Sequence, residues 1–119
     1  MRVSIKHVTT RRGAIFKKTF YEVCVTVLLS HEEIQIVRQR NLLETRLMDR
    51  RPATAKVDDR DEKFALYVKG VINGKTDRFL CATPADAKRY EERMLDTLSQ
   101  LKLWISDNAE TSEGIVVEF

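Results

Sequence analysis

Residues 83–106 read TPADAKRYEERMLDTLSQLKLWIS, and their spacing decides the fold. Thr83 is an N-cap residue and Pro84 fits the first helical position, where a missing N–H costs nothing. Asp86 follows three residues after the cap, where a carboxylate meets the positive end of the helix. Ala87, Tyr90, Met94, Leu98, Leu101 and Ile105 recur at steps of three and four, so they share one face. Leu95 and Trp104 widen that stripe. Lys88, Arg89, Glu92, Arg93, Asp96 and Gln100 cover the other side. At about 1.5 Å per residue such a helix is roughly 33 Å long, enough to cross a small sheet. Asp107-Asn108 marks its expected end.

The sheet is expected in the residues before it. Residues 2–9 alternate Val3 and Ile5 with Arg2, Ser4 and Lys6, the pattern of a half-buried strand. Arg11-Arg12-Gly13 is the turn. A second strand is predicted over residues 15–29, with Tyr21, Val23, Val25 and Val27 on one face and Glu22, Cys24 and Thr26 on the other. The two strands form an antiparallel hairpin. Ser30, with Glu33 three residues on, opens a short helix that runs to about residue 41. Ile34 and Val37 face inward, with Ile36 at the edge.

Residues 42–62 are harder to assign. Residues 45–49 suit a short edge strand, and Arg51-Pro52 interrupts regular structure. Asp58, Asp59, Asp61 and Glu62 suggest an exposed loop. Asn73-Gly74 predicts a tight turn between strands at residues 64–72 and 75–82. A two-residue loop pairs Val68 with Phe79 and Leu66 with Cys81. It also sets Lys69 against Arg78, which is unfavourable, so a longer loop over residues 70–77 is the alternative. Residues 110–114 link the long helix to an apolar tail at 115–119. The whole reads as one α+β domain of order ββα(β)ββαβ. Its antiparallel sheet has two hairpins plus a C-terminal strand, with both helices on one face.

The chain of 119 residues carries a net charge of +3, unevenly spread. Residues 1–56 hold 12 Lys/Arg against 5 Asp/Glu (+7), and residues 57–119 hold 9 against 13 (−4). Interleaving of the halves in the fold is expected to blur the division. No run is long enough to span a membrane. The N-terminus lacks the pattern of a signal peptide, and Cys24 and Cys81 read as reduced, buried thiols. A cytoplasmic setting is expected.

Catalytic chemistry has no signature here. The glycines are isolated, so no phosphate loop exists. The cysteines and histidines lack metal-ligand spacing. His31 lies at a helix start and His7 in a strand, neither with a nucleophile to serve. No catalytic, cofactor or metal residue is assigned, and no cofactor is expected. The leading expectation is a small binding or assembly module that forms a homodimer or meets a protein partner. Trp104, Ile115, Val117 and Phe119 are its candidate interface. The alternative is a nucleic-acid-binding accessory protein, because Arg11, Arg12, Lys17 and Lys18 flank one hairpin turn. A third reading is an enzyme subunit whose site a partner completes.

Overall fold

The computed structural model describes residues 1–15, 17–51 and 64–113, the last four by their backbone alone. Strands β1 (Arg2–Arg12) and β2 (Lys18–Leu28) form the expected antiparallel hairpin, paired from Arg2 opposite Leu28 to Arg12 opposite Lys18. The second strand starts at Lys18, not at residue 15, and the turn carries Gly13 at φ 134°. That backbone is open to glycine and costly for residues with a Cβ.

Helix α1 (His31–Gln39) begins as the sequence indicates. Ser30 Oγ accepts from the Glu33 amide, and Glu33 Oε1 accepts from the Ser30 amide. Val37 faces the core. Asn41, at φ 55°, turns the chain out of α1 into one short 3-10 turn, Leu42–Glu44. Strand β3 (Arg46–Asp49) follows as a short strand.

Pairing of the next strands departs from the expectation. Strand β4 (Ala65–Tyr67) pairs with β3 in a separate two-stranded sheet. The chain then makes one turn of helix, α2 (Val68–Val71), and β5 (Thr76–Cys81) pairs with β2. The main sheet therefore has the order β1-β2-β5. The predicted hairpin over residues 64–82 does not form, although the Asn73-Gly74 turn does. Gly74 alone has a positive φ (70°), so the pair is not the doubly left-handed turn of a tight hairpin. The cause lies in Val68, Val71 and Ile72, which are all buried. Their spacing of three and one suits a helical turn, whereas alternation along a strand would expose Val71. Docking β5 on β2 also separates Lys69 from Arg78. Arg78 lies opposite Cys24, and Lys69 Nζ sits 3.8 Å from Glu44.

Helix α3 (Pro84–Glu113) starts at the predicted cap, where Thr83 Oγ1 accepts from the Asp86 amide at 3.1 Å. It does not stop at Asp107-Asn108. Asn108 Nδ2 donates to the Trp104 carbonyl, so this polar side chain stays within the helix, and residues 110–113 are helical rather than a linker. The tail at 115–119, with Ile115, Val117 and Phe119, lies outside the described residues.

A continuous core joins these elements. Val23, Val25 and Val27 of β2 meet Val37 of α1 and Ala87, Tyr90, Met94, Leu98, Leu101 and Ile105 of α3. Met48, Leu66, Val68, Val71 and Ile72 extend the same cluster, so the small sheet and α2 belong to it. Leu95 and Trp104 do not widen the stripe, since they are 45% and 42% exposed. The fold is α+β with antiparallel strands and α3 along one face of the main sheet. The molecule is elongated, 74 × 30 × 21 Å.

Candidate nucleic-acid interface

Strand alternation divides the main sheet into two faces. Ile5, Tyr21, Val23, Val25, Val27, Phe79 and Cys81 face the helices. The register places Lys6, Cys24 and Arg78 side by side on the opposite face, and Val8, Glu22 and Leu80 beside them. By the same alternation Arg2, Arg12, Lys18 and Phe20 join this face. Five cations thus share it with a single carboxylate, Glu22.

Glu22 is 4% exposed and already engaged. Arg78 Nη1 donates to its Oε1 at 3.3 Å, and the Cys24 thiol lies 3.8 Å from the same oxygen. Burial pushes the Cys24 thiol above its ordinary pKa, and the Glu22 charge adds to this. Cys81, on the helix face, is raised by burial and then by Asp86. Both cysteines are free and buried, as expected, and although Lys6 and Arg78 flank Cys24, neither thiol has the accessibility of a reactive one.

Beyond the last β2–β5 pair, Tyr21 with Cys81, the hairpin continues on two strands. Three further pairs, ending at Arg12 with Lys18, add about 10 Å of ladder before the turn. This arm gathers Arg11, Arg12, Lys17 and Lys18, and all four side chains are exposed. Lys18 Nζ stands 5.7 Å from the centre of the Phe20 ring. Ile15 in the turn is 87% exposed. No Asp or Glu occurs before Glu22, so the arm has no internal counter-charge.

The structure therefore brings together the four cations singled out from sequence. Arg2, Lys6 and Arg78 continue the face that carries Arg12 and Lys18, while Arg11 alternates to the other side, and these three were missed. The even numbering of Arg2, Lys6 and Arg12 in an alternating strand was an available signal for two of them. Trp104 is exposed on α3, away from this face, and its companions in the expected interface are not described.

The histidines hold structural positions. His31 Nε2 is 3.1 Å from Gln35 Nε2 on the surface of α1, and His7 Nε2 is 3.3 Å from Glu91 on α3. Among the described residues no cluster of His, Cys, Asp and Glu has the arrangement of a metal site. No described helix is long and apolar enough to cross a membrane. No family model, curated protein or solved structure matches the chain.

Proposed function

We propose that the chain is a nucleic-acid-binding accessory module, without catalysis of its own, that grips phosphates with the β1–β2 arm. The observation that carries this reading is the arm itself: four exposed cations on a two-stranded projection with no acidic residue. Two-stranded ribbons fit the grooves of duplex nucleic acid, and phosphate contacts from Lys and Arg supply sequence-independent affinity. The exposed Ile15 at the turn gives the arm an apolar point, which suits contact with base edges or a base step. Lys6, Arg2 and Arg78 lengthen the track along the sheet.

The test is binding to mixed-sequence duplex DNA and to RNA at several salt concentrations. Four phosphate contacts predict a slope of about −3.6 in log K against log salt for duplex DNA. Affinity then falls roughly 150-fold between about 50 and 200 mM salt. Replacing Arg11, Arg12, Lys17 and Lys18 by Gln should flatten the slope. Absence of binding at low salt, or an unchanged slope in that variant, refutes the reading.

A homodimer is the second reading, favoured by the outer edge of β1. This eleven-residue strand pairs only with β2 among the described residues, and Val3 and Val8 are 37% and 41% exposed. An unpaired edge of that length can add a strand from a second copy, although Arg2 and Lys6 are the charges that discourage such pairing. Sedimentation as a monomer at micromolar concentration would remove this reading.

A further inference from the structure

A cavity of about 550 Å³ opens between the end of β5, the first turns of α3 and the Arg50-Arg51 step after β3. That volume lies within the range of small-molecule sites. Four arginines line it, Arg50, Arg51, Arg89 and Arg93, with one acidic residue, Asp86. Phe79 supplies apolar wall.

The four arginines are not equally committed. Arg50 Nη2 is fixed 2.7 Å from Asp77, and Arg51 Nη2 is 2.6 Å from Asp49. Hydrogen bonds from Arg51 hold the Asp49 carboxyl far below the usual carboxylate range, so this pair stays ionised. Asp77 is anchored further by the Tyr90 hydroxyl, which donates to it at 2.9 Å, and Tyr90 stacks on Phe79 at 4.4 Å. These contacts make one wall rigid. Arg93, by contrast, donates to the Asp49 main-chain carbonyl, a neutral group, at 2.7 Å. Arg89 is 77% exposed and 3.9 Å from Asp86, too far for a strong pair. Nε of Arg50 is buried and has no hydrogen-bond acceptor among the described residues. Arg89 and Arg93 are four residues apart, on adjacent turns of one helix face, so one multi-oxygen anion can meet both.

We propose that this pocket binds a small organic phosphate. Guanidinium forks match the oxygens of a phosphoryl group, and its double charge answers the two α3 arginines better than one carboxylate does. The phosphoryl group sits between Arg89 and Arg93 near the Arg50 side chain, and the organic body lies against Phe79. This site uses none of the arm residues and stands independently of nucleic-acid binding.

The test is an NMR titration of the whole chain at low salt with inorganic phosphate, adenosine monophosphate and adenosine. Arginine Nε–Hε signals report directly on the site. Saturable shifts with phosphate or the monophosphate, absent with adenosine, are expected. Arg89→Gln with Arg93→Gln should weaken the monophosphate by about tenfold or more, the effect of losing charge-assisted hydrogen bonds. Arg89→Gln alone, at an exposed position, should weaken it in the same direction with the melting temperature unchanged. The fourfold arm variant should bind as the parent does. No saturation with either phosphate compound would overturn the proposal. So would equal binding of adenosine, or binding lost in the arm variant and kept in the α3 variant.

Discussion

Leu98→Ala tests whether the α3 stripe holds the molecule together. Leu98 is 1% exposed and lies between Met94 and Leu101, which are fully buried. Truncation removes three carbons from a packed site that also includes strand and α1 side chains. Buried Leu→Ala changes cost about 3 kcal/mol where the surroundings relax little. A chain of 119 residues has an unfolding entropy of roughly 250 cal/mol/K near its midpoint. The quotient is a fall of about 12 °C in melting temperature. Leu95→Ala is the internal control, three positions away on the same helix but 45% exposed. Its shift should be within about 3 °C, because much of that side chain stays in water in the folded state. Thermal unfolding followed by circular dichroism compares the two directly, since helix propensity changes alike in both. Leu98→Asp goes further and places an unpaired carboxylate in the stripe, with loss of soluble folded protein expected. Equal shifts for Leu95→Ala and Leu98→Ala would refute the assignment of the buried face, as would cooperative melting of Leu98→Asp at the parent temperature.

Two further outcomes follow from the geometry. Asp49 has a depressed pKa in the folded state, so its contribution to stability is full above its ordinary value near 3.8 and is lost as pH falls towards the folded value. Urea midpoints of Asp49→Asn should therefore vary less with pH below about 4 than those of the parent, and parallel curves would count against the Arg51 contact. Gly74 has φ +70°, and an added Cβ would lie 3.4 Å from Leu28 Cδ2. Gly74→Ala should cost about 1–2 kcal/mol from backbone strain, and an unchanged midpoint would mean that the turn relaxes.

Local signals made both long elements legible. Thr83 and Ser30 cap their helices as their side chains suggest, and the period of α3 predicts every buried residue of its stripe. The first hairpin was equally plain, because its strands alternate and adjoin. The second hairpin failed because a turn signal says where a chain reverses, not which strands pair afterwards. Strand β2 offered a free edge with Val23 and Val25 on its core side, and β5 took it. The end of α3 was misplaced because Asp107 and Asn108 are weak stops, and no glycine or proline follows until Gly114. In the candidate site, the arm cations were readable because they are neighbours in sequence. Arg78 was not, since it reaches Glu22 across 56 positions. The arginine pocket joins residues 50–51 to residues 89–93 by the same kind of distant contact.

The uneven charge of the sequence gains its meaning from this pairing. The two halves do interleave: β5 of the acidic half lies on β2 of the basic half, and β4 pairs with β3. Where they meet, unlike charges find each other. Arg50 pairs with Asp77, Arg78 with Glu22, and His7 approaches Glu91. Strand β5 ends at Cys81, opposite Tyr21, and the arm lies past that point. No described residue of the second half pairs with Arg11, Arg12, Lys17 or Lys18. Their charge is therefore left over by the topology and held away from the carboxylates of the sheet. Exposed like charges on one projection repel one another, and at about 8–10 Å screening in ordinary salt this repulsion is only partly relieved. A cluster of that kind weakens the free arm and is relieved by a polyanion that neutralises it. Moving one carboxylate onto the arm, as in Thr19→Glu opposite Arg11, supplies that neutralisation internally. The variant should bind nucleic acid more weakly than the parent while melting at the same temperature or higher. Unchanged affinity would show that the arm's charge is not what the ligand reads.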